Sequence, residues 1–213
     1  MWFDRLWDCL SQEVFNFLPP PDSVGKLFNP YHRQETEADL PWAGVIRRAN
    51  LHAYLASLPE QPQVLLVGEA PGWHGCRFSG VPFTSEAQLV SGELPFRGRR
   101  TSTFPTPAKE ASAQTFWRVM SPYHPRFFVW NSLPFHPHLS GNPTSNRHPA
   151  RSELRDCLPL FEAIWTILSP VRVIGVGRCA QWALSELGIR ALPVRHPARG
   201  GGTAFRLGIE AVL

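Results

Sequence analysis

Four short apolar runs, separated by stretches with helical spacing, constrain the fold of this chain more than any other feature. The runs are Val64–Val67, Phe127–Trp130, Val171–Val176 and a weaker Leu192–Val194. Helices are expected between them, near residues 110–120, 153–168 and 178–187. Such alternation is typical of a parallel sheet covered on both faces. The sequence therefore predicts an α/β fold with three layers, α/β/α, around a central four-stranded, mostly parallel sheet.

The residues before the first run are expected to form a helical extension, at about 1–60, of a single domain that spans 1–213. A first helix is predicted over 2–17, and the Pro19-Pro20-Pro21 breaker then opens an irregular stretch to about Leu40. A second helix carries four residues on one apolar face: Leu51, Tyr54, Leu55 and Leu58. Pro159 is expected to kink the helix near 153–168 or to delay its start.

The composition is that of a globular protein, with 43% hydrophobic and 18% charged residues. No apolar run reaches the ~18 residues that a membrane span needs. The first residues, MWFDRLWDCL, contain acids and lack a basic leader. We therefore expect a cytoplasmic protein that has no membrane partner and is a monomer.

The formal net charge of +4 comes almost wholly from arginine. It is compatible with a phosphate-rich partner, and equally with a bias toward arginine in the genome. The four cysteines are far apart and form no C-x-x-C pair, so the sequence indicates neither a zinc knuckle nor an iron–sulfur site. We expect buried free thiols, no metal and no other cofactor; the cysteines are Cys9, Cys76, Cys157 and Cys179.

Polar side chains gather where the predicted strands end. Open parallel sheets bind ligands beyond the carboxyl ends of their strands. Those ends read 68-GEAPG-72, 131-NSLPFHPH-138, 177-GRCA-180 and 195-RHPARGG-201. We expect four residues that are distant in the chain to meet there: Glu69, Phe83, Asn131 and His196. An aromatic plate, an amide and an imidazole suit a nucleobase that has been lifted out of DNA.

These motifs resemble those of the uracil-DNA glycosylase superfamily over roughly residues 62–213. The stretch 68-GEAPG-72 is similar to the first motif of the thermostable iron–sulfur branch, and 80-GVPF-83 to the segment that holds the base-stacking aromatic. Asn131 follows a strand as the base-reading Asn does, and 196-HPA-198 resembles the His-Pro-Ser/Ala motif. The segments 29-NPYHRQ-34 and 47-RRANLHAYL-55 also resemble bacterial members, with no mechanism attached to them.

The resemblance implies hydrolysis of the N-glycosidic bond of uracil in DNA by base flipping, with other deaminated or 5-substituted bases as further substrates. It implies that His196 donates to the uracil O2, that Phe83 stacks on the ring and that Asn131 reads O4 and N3–H. Glu69 is the nearest carboxylate to orient water. The remaining base-binding positions lie in the glycine-rich loop: Gly68, Ala70 and Gly72.

Three arginines are expected to contact DNA phosphates. Arg195 and Arg199 flank His196, and Arg97 lies in 97-RGRRTST-103, which is either a phosphate-gripping segment or a lid. All three positions are also compatible with solvated loops.

Two departures from the family pattern keep other functions open. The chain lacks the cluster cysteines of the iron–sulfur branch, so we predict no cluster. Ala70 stands where other branches place a water-activating Asp or Asn, so a catalytically silent DNA-binding member is the alternative. A metal hydrolase is a third candidate, but its histidines lack the i, i+4 helical spacing of metal ligands; they are His124, His136, His138 and His148.

Gly72 stands where the strict uracil-selective branch carries a Tyr that blocks the 5-methyl group of thymine. Trp73 or His74 would have to fold in to replace that side chain. We therefore expect a pocket that is open near C5 of the base, in which 5-substituted uracils are cut.

Overall fold

The computed structural model describes residues 1–18, 26–32 and 37–213. Its strands are β1 (Leu27–Phe28), β2 (Val64–Gly68), β3 (Phe127–Asn131), β4 (His136–Pro137), β5 (Arg172–Val176) and β6 (Leu192–Val194). Its α-helices are α1 (Trp2–Leu10), α2 (Ala43–Ala56), α3 (Cys76–Ser79), α4 (Glu86–Ser91), α5 (Ala111–Met120), α6 (Arg151–Asp156), α7 (Leu158–Leu168), α8 (Arg178–Glu186) and α9 (Gly202–Val212). A π-helical turn, Ser11–Phe15, follows α1, and a 3₁₀ turn, Ser121–Tyr123, follows α5.

The central sheet has the strand order β3-β2-β5-β6, and all its neighbouring strands are parallel. Helices flank the sheet, which confirms the predicted three-layer α/β/α fold. The register pairs Gly68 at the end of β2 with Asn131 at the end of β3. Two residues that the sequence assigns to the site thus lie side by side on neighbouring strands.

The central strands are buried along their whole length. Every residue of β2 and of β3 is buried, which explains their unbroken apolar sequences. The main hydrophobic cluster also takes in Leu6 and Leu10 of α1, Leu51 of α2 and Ile209 of α9. In the described part of the chain, no helix is both long enough and apolar enough to cross a bilayer.

Several predicted boundaries differ slightly in the structure. The helical region near 153–168 is divided into α6 and α7, and Pro159 is the second residue of α7, where its missing N–H costs no helical hydrogen bond. Val171 was expected to begin a strand, but it is 84% exposed and β5 begins at Arg172. The predicted 2–17 helix is helical from Trp2 to Phe15.

Other elements were missed because they depend on partners that are far away in the chain. Strand β1 pairs with β4 in an antiparallel ribbon, with Leu27 opposite Pro137. The short helices α3 and α4 and the C-terminal α9 were also not predicted. The Pro19-Pro20-Pro21 breaker lies outside the described residues.

The expectation that all four cysteines are buried is only partly correct. All four thiols are free, but Cys9 and Cys179 are only partly buried, and the other two, Cys76 and Cys157, are buried. Cys179 is the one whose position bears on function, because it lines the cleft described below.

A buried cluster of charges joins α2 and α3. The Asp39 carboxylate accepts hydrogen bonds from Arg47 and from Arg77, and all three side chains are essentially inaccessible to solvent. The Arg77 guanidinium also lies over the rings of Phe28 and Phe78, at 4.2 and 4.1 Å. A buried carboxylate between two guanidinium groups is costly to remove, because the charges left behind cannot be solvated.

The substitution Asp39→Asn should lower the free energy of unfolding by about 3–5 kcal/mol, because Arg47 and Arg77 then lose their shared buried carboxylate. Equilibrium unfolding in urea measures the change. Glu210→Gln is the matched control, since it removes a carboxylate from an exposed pair with Arg206 and should cost less than about 1 kcal/mol. Equal effects of the two substitutions would contradict a supporting role for Asp39.

Candidate functional site

A cleft of about 910 Å³ opens beyond the carboxyl ends of the parallel strands. It brings together the four residues that were expected to meet, which are Glu69, Phe83, Asn131 and His196. Ala70 and Gly72 of the glycine-rich loop also line this cleft. The cleft therefore collects groups from the ends of β2, β3 and β6 and from the loop after α3.

Gly68 permits a close approach between two residues that line the cleft. A Cβ atom at this position would lie 2.5 Å from Cε2 of Phe83 and 2.7 Å from Oδ1 of Asn131. Both distances are too short for any side chain, so only glycine lets the ring edge and the amide come together above the strand end. Because Gly68 has no side chain, it leaves room for the two residues assigned to the base, Phe83 and Asn131.

Phe83 is held rigidly. Its φ of 51° lies in the left-handed region, which is unusual for a bulky residue. Its ring stacks on Phe116, with centroids 4.5 Å apart and an interplanar angle of 15°, and the His196 ring lies 5.3 Å away. The Phe116 stack supports the Phe83 ring from one side, and Phe83 also lines the cleft.

The two N-terminal segments with no assigned mechanism hold the loop that presents Phe83. The Tyr31 hydroxyl donates to the Gly80 carbonyl at 2.9 Å, and the Asn50 amide donates to the Ser79 carbonyl at 2.8 Å. Gly80 has a φ of 74°, and a Cβ there would meet the backbone of Arg47. Residues 29–32 and 47–55 thus have a structural role; residues 33 and 34 lie outside the described part.

The surroundings of His196 fix its protonation. The Ala198 N–H donates to His196 Nδ1 at 3.1 Å, so this nitrogen is unprotonated and the proton is on Nε2. Burial lowers the pKa of His196, Glu69 opposes that shift, and the charges of Arg195 and Arg199 lower it further. The lowered pKa favours the uncharged imidazole at neutral pH, and the N–H of that form is on Nε2.

Glu69 has two partners in the cleft. His148 Nδ1 donates to Glu69 Oε1 at 2.8 Å, and the Cys179 thiol donates to the same carboxylate. The Glu69 carbonyl accepts from the Leu133 N–H at 3.0 Å and from the Ser132 hydroxyl at 3.0 Å. Both the backbone and the carboxylate of Glu69 are thereby held in place.

Glu110 is a cleft residue that the sequence did not reveal. A Cβ at Gly72 or at Gly75 would overlap its carboxyl group, so this group occupies the space above both glycines. Burial raises the pKa of Glu110 to about 7, and a hydrogen bond with Ser112 opposes the shift. In the sequence Glu110 is an acid directly before a helix, which is too common a pattern to indicate a site.

Comparison with known proteins identifies the family and supports the fold. A family model described as the uracil DNA glycosylase superfamily matches residues 56–201. The chain belongs to this superfamily. The crystal structure of wild-type SMUG2 from Pedobacter heparinus is similar in fold, with a TM-score of 0.66 and 16% sequence identity, over 99% of this chain and 94% of that one. No curated protein matches the sequence.

The uracil-DNA glycosylase fold places two of the three expected DNA-binding arginines at the cleft. Arg195 and Arg199 line it, whereas Arg97 packs beside Gly92 and does not belong to the described lining. The segment after Arg97 is anchored, because the Glu86 carboxylate accepts from the N–H groups of Thr101, Ser102 and Ala108. A segment tied down in this way does not suit a lid.

The four histidines considered for a metal hydrolase do not form one centre. His124 hydrogen-bonds to Ser57, and His138 Nδ1 lies 3.0 Å from the Leu139 carbonyl. His136 Nδ1 donates to the Pro71 carbonyl at 2.8 Å, and burial lowers the pKa of His136 to about 4. In this uracil-DNA glycosylase superfamily member, neutral His136 therefore supports the 68–72 loop, and His148 contacts Glu69.

The protonation of His196 can be measured directly. Its pKa should lie below the ordinary value of 6.5, and its neutral form should carry the proton on Nε2, because Ala198 donates to Nδ1. A pH titration of the imidazole nitrogens by ¹⁵N NMR reports both properties. Exposed His74 is the reference within the same molecule. A proton on Nδ1, or a pKa above 6.5, would contradict the geometry.

Proposed function

We propose that this protein hydrolyses the N-glycosidic bond of uracil in DNA, without using a metal. The supporting observation is the hydrogen bond from the Ala198 N–H to His196 Nδ1, which places the proton of the neutral imidazole on Nε2, in a cleft that Phe83 and Asn131 also line. An aromatic surface, an amide and a neutral donor are what a flipped uracil requires. Membership of the superfamily indicates glycosidic bond hydrolysis as the type of reaction. The three residues support uracil as the base that is removed.

The base is recognised by stacking and by its hydrogen-bonding edge. Phe83, backed by Phe116, stacks on the flipped ring and offsets part of the few kcal/mol that unstacking costs. Asn131 donates to O4 and accepts from N3–H, whereas cytosine presents the reverse pattern. Arg195 and Arg199 contact the phosphates beside the flipped nucleotide.

Bond breaking leaves the electron pair on the base. As the bond between C1′ and N1 lengthens, the sugar gains oxocarbenium character and the departing uracil becomes an anion. His196 Nε2–H donates to O2, where negative charge develops, an effect of roughly 3–4 kcal/mol for one donor. A neutral His196 stabilises the uracil anion through this hydrogen bond and keeps its own proton.

Glu69 orients the water that attacks C1′. Ala70 has no polar side chain for this task, whereas the Glu69 carboxylate lies in the cleft between His148 and Cys179. Water adds its oxygen to C1′ and releases one proton to solvent, and the uracil anion takes up one proton from solvent, so the products are free uracil and an abasic sugar. Ala70 is also the observation that favours a silent DNA-binding protein, which would flip and hold the base without cutting it.

The substitution His196→Ala should lower the single-turnover rate of uracil excision by about 10²–10³, because the hydrogen bond to O2 strengthens mainly in the transition state. Affinity for uracil-containing DNA should change little. Rapid-quench kinetics and fluorescence anisotropy on one oligonucleotide measure the two quantities. His74→Ala, at an exposed position, is the matched control. A wild-type protein that binds but never cuts would establish the silent-binder alternative.

The Glu110 carboxyl group occupies the space that a side chain at Gly72 would fill. The expectation of an open pocket assumed empty space above this glycine, but the Glu110 carboxyl group is there. It lines the same cleft as Phe83 and Asn131, and its pKa of about 7 leaves it partly protonated at neutral pH. We infer that Glu110 limits the room near C5 of the base. A tyrosine placed at Gly72 would collide with Glu110 and would not test this point.

The substitution Glu110→Ala should raise the rate on 5-hydroxymethyluracil relative to uracil by about 10-fold or more, since a substituent of that size is worth 10–200-fold in a tight pocket. Competitive cleavage of two labelled oligonucleotides gives the ratio. Glu93→Ala, on an exposed loop, should leave the ratio unchanged. If Glu110→Ala leaves it unchanged as well, another residue forms the wall.

A further inference from the structure

Three potential metal ligands meet in the cleft. A carboxylate oxygen of Glu69, a ring nitrogen of His148 and the Cys179 sulfur all lie within 4.8 Å of one another. They come from the end of β2, from the segment before α6 and from the first turn of α8. One oxygen, one imidazole nitrogen and one sulfur form a ligand set that Zn²⁺ favours and that Mg²⁺ and Ca²⁺ do not.

The geometry leaves room for a fourth ligand. All three residues line the cleft, so a metal bound by them would face its interior. Three protein ligands and one open position are typical of accessible zinc sites, where water or a substrate oxygen completes the tetrahedron. His148 is well exposed, and a metal ion would therefore reach the cluster from solvent.

Zinc would replace hydrogen bonds that already hold these groups together. Burial and the neighbouring Glu69 carboxylate raise the pKa of the Cys179 thiol to about 12, while the nearby Arg151 and Arg178 lower it. Binding releases the thiol proton to solvent, and zinc takes the place of the hydrogen bond between His148 Nδ1 and Glu69. The thiolate and the carboxylate together balance the two charges of the metal.

We propose that Glu69, His148 and Cys179 form an inhibitory zinc site. The inhibition rests on the proposed function, because zinc bound to Glu69 removes the carboxylate that orients the attacking water. The catalytic reaction itself uses no metal. Zinc is therefore a reversible inhibitor of this protein.

The binding test needs neither DNA nor activity. Co²⁺ serves as a spectroscopic substitute for Zn²⁺, because a cobalt–thiolate bond gives a charge-transfer band in the near ultraviolet. The full-length protein should show this band at one equivalent, and Zn²⁺ should abolish it while Mg²⁺ does not. The variants Cys179→Ala and His148→Ala should each weaken binding about 100-fold or more, since even indirect metal contacts are worth 10–100-fold. Cys9→Ala, at the other partly buried thiol, should bind normally.

The activity test follows uracil excision in EDTA and then in increasing Zn²⁺. We expect full activity in EDTA, loss of activity as Zn²⁺ fills the site, and about 100-fold more Zn²⁺ for half-inhibition of Cys179→Ala than of Cys9→Ala. A missing thiolate band, or equal binding by Cys179→Ala and wild type, overturns the site. Zinc that binds without inhibiting, or that activates, overturns the inhibitory role. Inactivity in EDTA and in Zn²⁺ refutes the proposed function instead, and the cobalt band still decides the site.

Discussion

The close approach at Gly68 is the constraint on which the cleft depends. The parallel register sets Asn131 beside Gly68, and the absence of a side chain there lets the Phe83 ring edge come down onto the strand end. Phe83 lies in a loop in which Gly80 and Phe83 both have left-handed backbone. Hydrogen bonds from Tyr31 and Asn50 hold that loop in place. The N-terminal segment therefore supports the same contact as the sheet.

The two cleft carboxyl groups differ through their surroundings. Glu69 receives hydrogen bonds from His148 and Cys179, whereas burial above two glycines raises the pKa of Glu110 to about 7. Two carboxyl groups in such different surroundings usually have different roles in catalysis. In the proposed reaction Glu69 orients the attacking water, and Glu110 limits the space near C5 of the base. Neutral His196 donates a hydrogen bond to the departing uracil.

Much of the sheet and of the cleft was predictable, because local apolar runs mark the strands and parallel strands expose their carboxyl ends together. Asn131 directly follows such a run, and Glu69 and His196 each come two residues after one. Glu110 was not predictable, since its place depends on the backbone of Gly72 and Gly75 coming close to a helix start far along the chain. The β1–β4 ribbon was missed for the same reason: spacing in sequence does not show which distant segments meet. The motif 177-GRCA-180 was placed at this edge of the sheet, but the sequence did not indicate that Cys179 lies close to Glu69 and His148.

The strand order also determines how the molecule must assemble. Val64 pairs with Phe127 on one side and with Arg172 on the other, so the central strand has no partner close to it in sequence. Large loops must close before these pairings contribute any free energy, and such topologies fold slowly compared with helical bundles of similar size. The cleft lies beyond the ends of these paired strands, so it exists only in molecules in which the long-range pairings have formed.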